Sequence, residues 1–285
     1  MKIIDLVQGS PEWHALRANK VGASDIPIIM GESPFKTPLR LWREKLGLDV
    51  PFVNDKMREG NRMEPIARKW FNDYKMANCQ PVVMQSEESP WLIASLDGYD
   101  PSLEVAIEIK FVNDLDHEVA LHGEVPNKYY GQCQCQLYVS GLDHLFYVSY
   151  REGDGHIVPV YRDNDYIERM ISVSRDFHDK MMNFEQPEMT DKDFKDMSDD
   201  SNWRGLEDRY LSLVRLKKIY EVEMENIKER LIDMSEGQNC KSNCLMIYKS
   251  VRQGNVDYKS IPELKSVDLD KYRKPSTDVW TVRCK

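Results

Sequence analysis

A mixed α/β (α+β) architecture, one central mixed sheet flanked by helices, is what the order of hydrophobic periodicities in this chain predicts. Three observations carry that expectation. Helical spacing dominates the first 75 residues, three β-rich runs follow between 80 and 111, and a further helical stretch separates those runs from two later strands.

Taking the elements in order, Ser10-Pro11 reads as an N-cap followed by proline at the first helical position, opening a helix through WHALRA that Gly22 should break. Ser24-Asp25 starts a second short helix. Thr37-Pro38 opens a third that runs through LRLWREKL to a glycine stop at Gly47, so the first fifty residues read as helical. From Asp55 to Lys75, Met63, Ile66, Ala67, Trp70, Phe71 and Tyr74 recur at helical spacing. Pro65 lies inside this pattern, which predicts a kink or a fresh helix start beside Glu64. The runs QPVVMQ, WLIASLDG and EVAIEIKF read as consecutive antiparallel strands. A helix over about 127–139 follows, then HLFYVSY and HIVPVYR joined by the turn REGDG. An apolar stripe from Tyr166 to Phe184 predicts one more helix.

These elements place a catalytic domain over residues 1–190, an acidic linker over 191–201 and a C-terminal extension over 202–285. In the extension, Leu206, Tyr210, Leu213, Lys217, Tyr220, Met224, Ile227, Leu231 and Met234 alternate by four and three, a heptad-type seam. Beyond Cys240, ten Lys or Arg face five Asp or Glu, a net +5 in a chain of net charge -9, with Tyr248, Tyr258, Tyr272 and Trp280 interleaved in a manner suited to a nucleic-acid strand. The overall acidity counts against binding by charge alone, unless a metal-loaded carboxylate site accounts for part of it. No apolar run is long enough to span a bilayer, and the opening residues lack a leader pattern, so a cytoplasmic location in a bacterial host and no membrane partner are expected. The six cysteines show no disulfide or zinc spacing and read as free thiols.

Chemistry concentrates in the second and third β-runs. On a strand, Glu108 and Lys110 point to one face and Ile109 to the other. Asp97 ends the preceding run, so a hairpin would bring its carboxylate to that of Glu108, and two such acids repel unless a cation sits between them. Oxygen-only ligands favour magnesium, with manganese as a substitute, as one ion or two. Such an ion polarises a phosphoryl oxygen and lowers the pKa of a bound water, while Lys110 can hold that water and a second ion near Glu64 would stabilise the departing oxygen. In the following helix, Gln132 and Gln136 are four apart, share a face and can reach the site.

Through WHALR with VGASD, REGNRMEP, SLDG, EIK and YYGQCQCQLY, in that order over about residues 9 to 185, the chain resembles the lambda-exonuclease, or YqaJ-type, family of phage recombination nucleases in the PD-(D/E)XK superfamily. The resemblance implies a restriction-endonuclease-like core with a C-terminal helical and small β extension. It implies Asp97 and Glu108 as metal ligands with the Ile109 carbonyl, Lys110 as catalytic lysine, Gln132 beside the attacking water, and Glu64 as a ligand directly or through water. It further implies that Arg17, Ser24 and Ser95 grip a terminal 5′-phosphate. Asp55 stands where the family carries a phosphate-pocket lysine, and Lys56 is offset from it by one. The activity implied is degradation of one strand from the end of double-stranded DNA, 5′ to 3′, by a trimeric ring that hands the remaining strand to a single-strand annealing protein. A structure- or sequence-specific endonuclease and a catalytically silent DNA-end-binding module remain open as alternatives.

Overall fold

In the computed structural model, the described residues are 1–252 apart from 53, together with 254, 255, 257, 260–262, 264 and 267. The elements are β1 (Lys2–Ile4), α1 (Pro11–Ala18), β2 (Val21–Gly22), α2 (Ile26–Ile29), α3 (Pro38–Lys45), α4 (Asp55–Lys75), β3 (Gln80–Gln85), β4 (Leu92–Asp100) and β5 (Val105–Phe111). They continue as α5 (Asp114–Leu121), α6 (Asn127–Ser140), β6 (His144–Arg151), β7 (Asp154–Tyr161), α7 (Asn164–Met182), α8 (Ser201–Met234), β8 (Cys240–Lys241) and β9 (Met246–Ile247). Two compact units result, 1–195 and 196–285.

Seven strands form the sheet of the first unit, in the order β1-β3-β4-β5-β6-β7 with β2 paired to β4. The β5–β6 and β2–β4 pairs are parallel and the others antiparallel, which makes the sheet mixed, as expected. The parallel β5–β6 pair follows from the crossover through α5 and α6, because only a long connection returns a strand in the same direction. Between β6 and β7 the chain turns at Glu152 and Gly153, both at positive φ, a conformation Gly adopts without cost and one that suits a two-residue hairpin.

Each face of the sheet carries helices. On one face α2, α3, α6 and α7 pack over Leu96, Ala106, Leu145 and Tyr147, with Ile26, Cys135, Leu137, Met170 and Phe177 buried between the layers. On the other, Ala67 and Phe71 of α4 close over Ile107, Ile109, Val148 and Tyr150. Along β5 and β6 strand alternation separates these sets, since Ile107 and Ile109 face α4 while Glu108 turns to α6, and on β4 a register shift against β3 falls between Leu96 and Tyr99.

Several expectations need correction. The first fifty residues are not wholly helical: β1 and β2 add short strands, and Gly22 lies in β2, while α1 has already ended at the Asn19 cap. No fresh helix start occurs at Pro65, and α4 runs unbroken for 21 residues because burial of Ala67 and Phe71 outweighs one lost backbone hydrogen bond. Helix α5, unforeseen, is capped by the Asn113 side chain, which accepts from the Asp116 amide. The thiols of Cys79, Cys133, Cys135, Cys240 and Cys244 are free, and Cys284 lies outside the described residues, as do Tyr258, Tyr272 and Trp280.

In the second unit α8 is a single 34-residue helix with no buried residue, followed by the β8–β9 hairpin. No helix among the described residues is long and apolar enough to cross a membrane.

A candidate active site at a fork in the sheet

Strand β4 changes partner along its length. Its first residues pair with β2 (Leu92 with Val21, Ile93 with Gly22), and its last with β5, beginning at Gly98 opposite Ile107. Between the two pairings the strands part, and Asp97 and Glu108 are the next opposed positions beyond the last β4–β5 pair. Opposed residues of an antiparallel pair project to the same face, so the fork itself directs both carboxylates into one space. Asp97 Oδ2 accepts from the Ile109 amide at 2.7 Å, which ties the two strands across the gap. Close packing keeps the fork narrow, because a Cβ on Gly98 would come within 2.8 Å of Cys79 and Ile107 atoms.

Glu108 is fully buried, and its charge is met by three donors. Gln132 Nε2 donates to Oε1 at 2.6 Å, Gln136 Nε2 donates to Oε2 at 2.5 Å, and the Lys110 ammonium bonds Oε1. Both glutamines come from α6, which must be buried to reach so far; every residue from 131 to 137 in it is buried. Gln134, on the opposite side of the helix, bonds the Tyr161 carbonyl and the Asp163 amide. Among the described residues Gln136 Oε1 has no hydrogen-bond partner despite its burial.

Burial, together with the Glu108 carboxylate and more distantly that of Glu64, pushes the Asp97 carboxyl well above the ordinary carboxylate range, against the opposing pull of Lys110. Burial pulls the Lys110 ammonium down, but the charges of Glu108 and Asp97 more than reverse this and hold it above an ordinary lysine. Its Nζ lies 5.4 Å from the Tyr129 ring centroid.

Glu64 approaches from α4 but is held by Arg68, four residues on, whose Nε also donates to the Asp97 carbonyl at 2.5 Å. Arg68 was not foreseen; the i, i+4 spacing on a helix was the available signal, but its reach to β4 depends on how α4 crosses the sheet.

Among the described residues no group of three or more His, Cys, Asp or Glu side chains forms a ready cage for a metal. What the fork offers is a half-shell of oxygen ligands, Asp97 and Glu108 with the Ile109 carbonyl nearby in sequence. This donor set fits magnesium, which keeps several waters and takes few protein ligands, and the repulsion that raises Asp97 is what such a cation would relieve.

A second polar cluster adjoins the fork. The Arg17 guanidinium donates to Ser24 Oγ at 2.9 Å and lies 4.7 Å over the Trp13 ring, whose Nε1 donates to Ser95 Oγ at 2.9 Å. The Ser95 carbonyl in turn accepts from Gln136. Arg17, Ser24 and Ser95 are therefore linked to one another and, through Gln136, to Glu108. Lys56 stands apart: it is exposed in the first turn of α4 and makes no hydrogen bond or ion pair with Arg17, Ser24 or Ser95.

Beneath this cluster the buried Asp25 carboxylate bonds Lys45 at 2.6 Å and the Gly22 amide at 2.8 Å. Lys45 also donates to the carbonyls of Arg17 and Lys20, at 2.8 and 2.9 Å. Burial alone would raise Asp25, but Lys45 and Arg17 hold it below the usual carboxylate range. Neither Asp25 nor Lys45 was anticipated as part of the site.

Comparison with known proteins agrees with the family resemblance. Residues 12–143 match the model of the YqaJ-like viral recombinase domain. The chain is 26% identical over 186 residues to YqaJ of Bacillus subtilis (strain 168), covering 62% of this chain and 58% of that protein. It is 29% identical over 160 residues to a protein of Acanthamoeba polyphaga mimivirus, covering 50% of this chain and 29% of the other. The chain thus spans less than two thirds of the length of either relative. Among solved structures, the alkaline exonuclease LHK-Exo of Laribacter hongkongensis superposes with a TM-score of 0.54 at 23% identity, over 61% of this chain and 94% of that one. At that identity the likeness establishes the shared restriction-endonuclease-like fold.

Proposed function

We propose, from the match of residues 12–143 to the model of the YqaJ-like viral recombinase domain, that this protein is a magnesium-dependent DNA exonuclease. It removes one strand, 5′ to 3′, from the ends of linear duplex and leaves single strands for phage-type recombination. The observation that carries this reading is the convergence of Asp97, Glu108 and Lys110 at the β4–β5 fork, with Gln132 and Gln136 fixing Glu108 from α6. LHK-Exo, which shares the fold, is an alkaline exonuclease, which favours the same chemistry here.

Asp97, Glu108 and the Ile109 carbonyl would hold the magnesium ion, or manganese in its place, and Glu64 is the acid nearest to serve a second. When bound, the ion supplies charge that polarises the scissile phosphate and acidifies a water. Lys110, kept cationic by its two carboxylate neighbours, orients the attacking water and neutralises charge developing on the phosphate. Gln132 and Gln136 donate through their Nε2 atoms to the two different oxygens of Glu108, which fixes the carboxylate plane, and Gln132 would lie beside the reacting water. Arg17, Ser24 and Ser95 present a planar fork and two hydroxyls to the 5′-phosphate of the strand being degraded. A trimeric ring and a single-strand annealing protein are the expected assembly and partner.

Digestion of linear and closed circular duplex, with and without magnesium, tests the reading against its alternatives. An exonuclease consumes only the linear form and only with the metal, and Lys110→Ala or Asp97→Ala abolishes the reaction. Cutting of the closed circle would instead identify an endonuclease, and retention of intact ends by the wild type would identify a binding module. Equal rates on 5′-phosphate and 5′-hydroxyl ends would remove the assignment of Arg17, Ser24 and Ser95.

A further inference from the structure

Among the described residues nothing covers the apolar seam of helix α8: Tyr210 is 44% exposed, Leu213 56% and Met224 67%. At ~1.5 Å per residue, 34 residues give a rod ~50 Å long, and a stripe of that length at heptad spacing is built to be covered by another helix.

Its charges say which helix. From Trp203 to Lys218 five cations stand against two carboxylates, a net +3, whereas from Ile219 to Met234 two cations stand against five carboxylates, a net -3. Side by side in parallel, two copies would set like ends together. In antiparallel order each basic half lies on an acidic half.

The seam is also palindromic in that order. Antiparallel coiled coils pair an a position with a d position, and one register pairs every seam residue. In it Leu206 faces Leu231 of the second copy, Tyr210 faces Ile227, and Leu213 faces Met224. At the centre Lys217 meets Tyr220, which lets the one cation of the seam rest on an aromatic face, and at the ends Trp203 meets Met234. Of the flanking charges, Glu207 meets Lys228 while Arg209 meets Arg230, so the favourable field comes from the halves as wholes.

We propose that α8 pairs with α8 of a second copy of this chain as an antiparallel two-helix coiled coil. The contact is isologous, so it closes on itself and doubles whatever assembly the first unit makes. It stands independently of the nuclease reading.

Sedimentation equilibrium of the full chain tests this through a charge swap. Leu213→Glu and Met224→Lys, made singly, each place a charge in two apolar layers, and each is expected to halve the wild-type mass. Combined in one chain, they set Glu opposite Lys twice in the antiparallel register, and the mass is expected to return. A parallel pair would stack Glu on Glu and Lys on Lys and stay dissociated. Single variants with the wild-type mass, or a double variant that remains at half mass with its helical circular dichroism intact, would overturn the proposal.

Discussion

At the scale of single residues, the fork holds a conflict of charge that costs stability. Asp97 and Glu108 are driven together by strand pairing, and burial adds to their repulsion. Asp97→Asn keeps an oxygen for the Ile109 amide and removes one charge. In metal-free buffer it is expected to raise stability by ~1 kcal/mol, or ~2–4 °C in thermal midpoint for a unit of this size, while cleavage falls at least ~100-fold. A variant less stable than wild type by calorimetry would show that the carboxylate is structurally satisfied as it stands. The Asp25–Lys45 pair has the opposite character, since its charges are matched and bonded. Asp25 titrates below its unfolded value, so its stabilisation is complete above about pH 4 and is lost as pH falls through the lower folded value. Lys45→Met leaves that carboxylate without its main partner and is expected to cost about 3–5 kcal/mol in urea melts at neutral pH. A loss within experimental error would mean that Arg17 and the Gly22 amide suffice. The i, i+2 spacing of Glu108 and Lys110 was legible in the sequence because strand geometry fixes it locally. Asp25 and Lys45 were not, because they meet across separate elements and no local periodicity marks them, and the reach of Arg68 to the Asp97 carbonyl depends on how α4 crosses the sheet.

At the scale of elements, α6 determines how deep the site lies. Its glutamines reach Glu108 only because the helix packs closely under α2 and α7, and Gly131 makes that approach possible: a Cβ there would sit 2.3 Å from the Tyr166 hydroxyl and 3.2 Å from Ile26. Gly131→Ala therefore has to displace Tyr166 or tilt α6. About 1–3 kcal/mol of destabilisation is expected from such overpacking, and activity should fall further than the melting shift explains as Gln132 and Gln136 move off Glu108. A variant with unchanged melting and unchanged rate would show that α2 yields instead. Elements long enough to show a period were readable, among them the β3–β4–β5 run, the β6–β7 hairpin, α7 and α8. Strands β1 and β2 are three and two residues long, too short for alternation to show, and exist because β3 and β4 offer them edges. Helix α5 is weakly amphipathic and was marked only by its Asn113 cap. At Pro65 the local rule allowed a kink or a fresh helix start, and the fresh start does not occur because the following turn is buried.

For the molecule as a whole, charge is divided unequally between two units that separate at residue 195. The first 195 residues carry 32 acidic and 22 basic side chains, net -10, and the remaining ninety carry 16 and 17, net +1. On the proposed reading, an acidic unit would concentrate its attraction for DNA phosphates at a small number of cations such as Arg17 and Lys110, and a wider electrostatic hold would come from the basic C-terminal residues. Deleting 196–285 should therefore leave the chemistry and weaken the grip. The fragment 1–195 is expected to fold, because its hydrophobic layers and every proposed catalytic side chain lie within it. Its maximal rate on saturating linear duplex should stay near that of the full chain. Its KM for DNA should rise, and the dependence of log KM on log salt should become shallower by about 0.9 for each phosphate contact removed. If the fragment instead matches the full chain in both KM and salt slope, the C-terminal cations take no part in holding the duplex, and the interleaving of aromatic and basic residues there serves some end other than nucleic acid.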